Sequence, residues 1–219
     1  MKYMERLITL QGKDYHLRVT SEYGSNCYDT NINLINYYID KLKIPQGVII
    51  DIGANQGVMS VILKDNIPNT GIVCIEPALE NIDHLISNVP DAVVHQVAIS
   101  NINMTGSLQS FGQNQRYRVV KDTSQESITQ ISTLDSLNIE SVMLIKVDVE
   151  GAEIDLLQGA VSTIEKYKPI LYLEHHWDLV DKDELYSQIE KMNYQIIYLD
   201  GQTQYIHGRI NNYLLIPSR

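Results

Sequence analysis

From Gly47 onward the apolar positions fall in short runs separated by amphipathic stretches, the signature of strands alternating with helices around a mostly parallel sheet. Val48-Ile49-Ile50-Asp51 is the first run, and a helix is expected from about Gln56 to Leu63. A second strand covers Ile72 to Glu76, and the helix after it carries Leu79, Ile82, Ile86 and Val89 at steps of three and four. A third strand is expected from Val93 to Ile99 and a fourth from Val142 to Val147. The next helix has Ile154, Leu157, Val161 and Ile164 on one face and must stop before Pro169. Ile170 to Leu173 makes a fifth strand, a helix follows from about Asp183 to Met192, and Gln195 to Leu199 with Asn212 to Ile216 form a closing pair. Ahead of Gly47 the pattern differs. Residues 6–20 read as a hairpin around Gly12-Lys13-Asp14, and 29–42 as a helix with Ile35, Tyr38, Ile39 and Leu42 inward and Asp29 or Thr30 as its N-cap. The chain therefore divides into an N-terminal hairpin and helix extension, 1–46, and an α/β domain, 47–219.

One segment breaks the alternation. Ser107 to Ser132 is rich in Ser, Gln and Thr, and is too long for an inert connection; it reads as a lid over a site or as a polar hairpin. The 44% apolar and 20% charged composition of the 219 residues excludes a disordered or fibrous chain. No apolar run reaches bilayer length, and the start MKYMERLITLQGKDY lacks a signal-peptide core. Cys27 and Cys74 do not make a disulfide framework, and Cys74 lies in an apolar run as a buried thiol, so the expected location is the cytoplasm. Seventeen basic against 27 acidic residues give a net charge of −10 without a basic stripe, which argues against nucleic acid and anionic membranes as partners.

The first candidate site is VIIDIGANQGVMSVIL, where Asp51 ends a buried strand and Gly53 and Gly57 bracket a tight turn into a helix. Glycine permits the turn and a close ligand approach, and free amides at the helix start would make an electropositive cradle. Glu76 ends the second strand, where a carboxylate can accept both hydroxyls of a ribose. The loop reads D-x-G-x-N-x-G rather than the dinucleotide G-x-G-x-x-G. An acid at Asp51 suits a ligand with a cationic amino-acid end, such as S-adenosylmethionine, better than a pyrophosphate.

The second constellation is Lys146-Val147-Asp148-Val149-Glu150-Gly151-Ala152-Glu153. Extended backbone would put Lys146, Asp148 and Glu150 on one face, at the carboxyl edge where parallel sheets bind ligands. Glu153 reads more simply as a favourable charge on a helix N-terminus. The fifth strand ends Glu174-His175-His176-Trp177. Neighbouring histidines point to opposite sides of a strand, so one of them reaches the site; His175 is the choice, with Glu174 behind it, as a general base. Glu or His beside Asp148 also allows a divalent cation, although no ligand set is assigned.

These stretches, DIGANQG, CIEPALENIDHLISN, TLDSL, LIKVDVEGAEIDLLQGA and ILYLEH in that order, resemble the FkbM family of S-adenosylmethionine-dependent methyltransferases over roughly Gly47 to His175. K-x-D-V-E-G-A-E is the specific part. The resemblance implies a class I, Rossmann-like α/β fold with a seven-stranded sheet, helices on both faces and a last antiparallel strand. It implies methyl transfer to oxygen on a sugar, glycolipid or other small hydroxylated natural product. Carried over, Asp51, Gly53, Ala54, Asn55 and Gly57 fall on the cofactor loop, Glu76 on the ribose acid, and Ala98 and Ser100 near the adenine. For hydroxyl methylation, Asp148 or His175 is expected to take the proton, directly or through a bound cation, while Glu150 orients the acceptor or the cofactor's amino group and Lys146 tunes their charge. The alternatives are an NAD(P)-dependent oxidoreductase and a non-catalytic module that keeps the same pocket.

Overall fold

The computed structural model describes residues 3–10, 12–20, 32–110, 117–122, 127–176, 179–198 and 211–218. Hairpin strands β1 (Tyr3–Leu10) and β2 (Lys13–Thr20) and helix α1 (Ile32–Leu42) lead into β3 (Val48–Ile52), α2 (Val58–Asn66), β4 (Gly71–Ile75), α3 (Leu79–Asn88) and β5 (Val93–His95). Four further strands follow: β6 (Ala98–Ile99), β7 (Met104–Ser110), β8 (Tyr117–Val120) and β9 (Ile128–Ser132). The chain then forms β10 (Val142–Val147), α4 (Glu153–Gln158), α5 (Val161–Tyr167), β11 (Ile170–His175), α6 (Lys182–Lys191), β12 (Tyr194–Tyr198) and β13 (Asn211–Pro217).

The main sheet has seven strands in the order β12-β13-β11-β10-β3-β4-β5. Strands β3, β4, β5, β10 and β11 pair in parallel, and β13 runs antiparallel between β11 and β12. This is the class I methyltransferase arrangement expected from the sequence. Because side chains alternate along each strand, the sheet supplies two cores. Ile49, Cys74, Leu144 and Leu214 face one layer, and Ile50, Ile75, Ile145 and Leu215 face the other. The hairpin is part of the first layer: Ile8, Tyr15, Leu17 and Val19 pack in the same cluster as Val58, Ile62 and Leu85. Asn88 clamps it by accepting from the Arg18 amide and donating to the Arg18 carbonyl.

Several local expectations need correction. The third strand divides at Gln96 and Val97: β5 belongs to the main sheet, whereas β6 joins a second sheet, ordered β6-β9-β7-β8. The polar 107–132 stretch supplies most of that second sheet, and its β7–β8 pair is antiparallel. Of the face expected on α3, Ile82 and Val89 pack against the core, whereas Leu79 and Ile86 are exposed and the buried side also carries Leu85, His84 and Asn81, which donates to Glu76 at 3.2 Å. The single helix expected after β10 is two, split at Gly159, where a Cβ would lie 2.0 Å from the Ser100 carbonyl oxygen. Cys74 is buried as expected, and burial, then the nearby Asp51 charge, pushes its thiol up to about 12. Cys27 and the Asp29 or Thr30 cap lie outside the described residues. Among those residues no helix is long and apolar enough to cross a membrane.

Candidate active site

A cleft of about 600 Å³, counted with its open mouth, lies at the carboxyl ends of β3, β4 and β10. Gly53, Asn55, Glu76, Ala98, Asp148 and Glu150 line it among the expected site residues. Tyr117 and Val119 of β8 close one side, so the polar segment does reach the site, as a hairpin wall. The Tyr117 hydroxyl donates to Glu80. Nothing in the sequence pattern marks Tyr117 for this place.

The first loop is set by backbone geometry. Gly53 and Gly57 have φ of 76° and 83°, in the left-handed region that a Cβ disfavours. A Cβ on Gly53 would lie 1.7 Å from the Asp148 carbonyl oxygen, so this glycine lets the loops after β3 and β10 touch. The free-amide cradle does not form at four loop positions. Gly53 and Ala54 donate to the Ile75 carbonyl, Gly57 to the Ala54 carbonyl, and Asn55 to Glu76 Oε2 at 2.8 Å. The loop instead offers acceptors: Asn55 Oδ1 is buried and has no hydrogen-bond partner among the described residues.

Glu76 is buried, and Oε1 accepts from the Ala78 amide at 2.9 Å and from Asn81 at 3.2 Å. Burial raises its pKa, against the lowering effect of those donors. Oε2, which accepts only from the Asn55 amide, keeps a lone pair for a ligand hydroxyl.

Asp51 is corrected from cofactor contact to support. It is fully buried away from the cleft, where Oδ2 accepts from Ser60 at 2.6 Å and Oδ1 lies 3.3 Å from Lys146 Nζ. The register of β3 on β10 pairs these two residues directly. Lys146 is also beneath the surface, and its ammonium donates to the Gly53 carbonyl at 3.2 Å and to Asp148 Oδ2 at 3.3 Å. Burial alone would lower the Lys146 pKa, but Asp148, Asp51 and Glu174 raise it, so it stays charged. Ala54, Gly57 and Ser100 likewise lie outside the lining. Gly57 packs on Leu85 and Val89, while Ser100 Oγ donates to Asp155 Oδ2 at 3.3 Å.

The histidine assignment is reversed. His175 is fully buried on the far side of β11, its Nε2 3.0 Å from the Val180 carbonyl and its Nδ1 3.4 Å from the Tyr213 hydroxyl. Burial lowers its pKa and suits a neutral packing role. His176 faces the carboxylates instead: Nδ1 lies 2.7 Å from Glu153 Oε1, and Nε2 lies 3.1 Å from Glu150 Oε2, 3.6 Å from Glu174 Oε1 and 3.9 Å from Asp148 Oδ1. Burial opposes its protonation, but Glu150 and Glu153 push the ring up to about 10. Burial, then the Asp148 charge, holds Glu174 up to about 8. Glu153, at the start of α4, is a fully buried partner of His176 as well as a helix-end charge. Glu150 has φ of 51°, a strained value for a residue with a Cβ, and it occurs where the carboxylate enters the cleft.

The chain matches the family described as Methyltransferase FkbM domain over residues 51–196. A curated relative, Methyltransferase 1 of Beauveria bassiana, is 26% identical over 164 residues, 61% of each chain. The crystal structure of Methyltransferase FkbM from Methylobacillus flagellatus superposes with a TM-score of 0.56 at 20% identity, covering 78% of this chain and 43% of that one. Streptococcus pneumoniae Sp1610, described as a putative tRNA (m1A22) methyltransferase and solved with S-adenosyl-L-methionine, gives 0.51 at 12% identity, covering 85% and 71%. The chain thus spans about three fifths of the curated relative's length and less than half of the Methylobacillus chain.

Proposed function

Because this chain belongs to the FkbM methyltransferase domain family, we propose that its cleft binds S-adenosylmethionine and directs methyl transfer to a hydroxyl oxygen of a small acceptor, such as a sugar, glycolipid or other natural product. The observation that carries this reading is the polarity of the lining. Glu76, Asp148 and Glu150 reach the cleft, and no lysine, arginine or histidine does among the described residues. A pyrophosphate would meet carboxylates and loop amides that are already bonded, which disfavours a nicotinamide dinucleotide. A ligand with an ammonium, a sulfonium and ribose hydroxyls meets acceptors throughout.

The residues fit that ligand in detail. The unpaired Asn55 Oδ1 can accept from the ammonium end, Glu76 from the ribose, and Val97, Ala98 and Ile99 can flank the adenine. When bound, the sulfonium supplies a methyl carbon whose bond to sulfur breaks as its bond to the acceptor oxygen forms, leaving a neutral thioether. Asp148 holds the acceptor hydroxyl and takes its proton, while Lys146 and the Asp51 beneath it fix the position of that carboxylate. Glu150 orients the acceptor from the opposite loop position.

The test is direct. S-adenosylhomocysteine at about a hundred times its dissociation constant is expected to stabilise the chain by roughly 2.7 kcal/mol in a thermal melt, and NAD to leave it unchanged. The reverse result overturns the reading. Label transfer from methyl-labelled cofactor to a panel of hydroxylated saccharides and lipids then identifies the acceptor.

A further inference from the structure

The ends of β10 and β11 gather more negative charge than methyl transfer alone uses. His176 is 1% exposed, and its Nδ1 is held at 2.7 Å by the fully buried carboxylate of Glu153. A carboxylate only accepts, so this contact keeps a proton on Nδ1 and turns Nε2 toward the cleft side. There Nε2 faces Glu150, Glu174 and Asp148 at 3.1, 3.6 and 3.9 Å, yet it is buried without a hydrogen bond of acceptable direction among the described residues. Acceptor atoms crowded in this way repel one another unless a positive centre lies between them. A proton on Nε2 can serve only one of the three oxygens, and a bound cation takes its place. A metal ion bonds to several donors at once.

We infer that Asp148, Glu174 and His176 form a site for a first-row divalent cation beside the cleft, with Glu153 orienting the histidine. Their donor atoms lie within 4.8 Å of one another. Ligands bound at about 2.0–2.2 Å stand about 3–3.5 Å apart, so a contraction of about 1 Å completes the set. The two carboxylates keep 28% and 26% side-chain exposure and are able to make that movement. A donor set of one imidazole and two carboxylates suits Mn²⁺, Fe²⁺ or Zn²⁺ better than Ca²⁺. The Glu153–His176 contact is the outer-shell support that metal-binding histidines use.

The role of the ion rests on the methyl-transfer reading above. With three protein ligands, open positions remain for the acceptor hydroxyl. Coordination there would lower the pKa of that hydroxyl, and its proton would pass, as the oxygen attacks, to the Asp148 oxygen that does not bind the ion.

The full chain, stripped with a chelator, is titrated with Mn²⁺ while the free-ion electron paramagnetic resonance signal is followed. S-adenosylhomocysteine binding is measured on the same samples by calorimetry. One saturable Mn²⁺ is expected per chain, lost in Glu174→Gln and His176→Asn and bound 10–100-fold more weakly in Glu153→Gln. Glu174 is partly exposed, so Glu174→Gln keeps the test readable if a change at buried His176 disturbs folding. Absence of saturable Mn²⁺ binding, or binding that survives Glu174→Gln, overturns the cation site whatever S-adenosylhomocysteine does. Saturable Mn²⁺ binding without S-adenosylhomocysteine binding supports the site and overturns the methyl-transfer reading.

Discussion

The two ends of the cleft are built by opposite means. At the β4 end, Glu76 is anchored by the amides of Asn55 and Ala78 and by Asn81, so both oxygens of its carboxylate are held in place before any ligand arrives. At the β10 and β11 end, Asp148, Glu150 and Glu174 converge on one imidazole, and the nearby Lys146 is drawn beneath them by Asp51. The first end is preorganised to hold a ligand. The second stores electrostatic tension that a reaction can relieve.

Asp148→Asn should separate the ends most sharply. Turnover is expected to fall by about 10²–10⁴-fold in a labelled-methyl assay, with S-adenosylhomocysteine affinity retained. An unchanged rate would remove Asp148 from the chemistry. Gly53→Ala attacks the junction between the ends, since its φ and the 1.7 Å approach to the Asp148 carbonyl leave no room for a Cβ. A loss of about 3 kcal/mol in denaturant unfolding is expected, together with weaker binding.

Glu76→Ala tests the preorganised end alone. It should weaken S-adenosylhomocysteine binding by about 10–100-fold in calorimetry, since charged hydrogen bonds contribute about 1.5–3 kcal/mol. Unchanged affinity would place the ligand elsewhere. The smallest effect lies outside both ends. Asp135 caps α5 from a distance by accepting from the Ser162 and Thr163 amides, because Ala160 at the cap position has no polar side chain. Burial would raise the Asp135 pKa, and those donors more than reverse it, leaving it lowered in the folded chain. Its contribution is therefore present above the ordinary aspartate range and lost as pH falls through the folded value, below about pH 4. Asp135→Ala is expected to cost about 1 kcal/mol at neutral pH and to flatten that acid loss, with the cleft unaffected.

The same contrast explains what the sequence made legible. The Gly53–Gly57 turn and Glu76 are neighbours through one strand–helix–strand unit, so local spacing locates them. Asp148 and Glu150 were also accessible, as polar residues clustered where a buried strand stops. His176 was not, because β11 is apolar on both faces and its parity is undecided from apolar positions alone. Glu174 held the missing signal: a carboxylate must face the open side, and the period of two places His176, not His175, beside it. Asp51 misled for a related reason. It is an acid at a strand end, but its register partner Lys146 neutralises it in the interior, and that pairing belongs to the assembled sheet.

The place of β13 has a consequence for biosynthesis. β11, whose end carries Glu174 and His176, forms one ladder with β10 and the other with residues 211–217, which lie well downstream in the chain. On the ribosome, an apolar strand edge must therefore wait for its neighbour after every wall of the cleft has been translated, which makes that interval the period of greatest exposure to aggregation or chaperone capture.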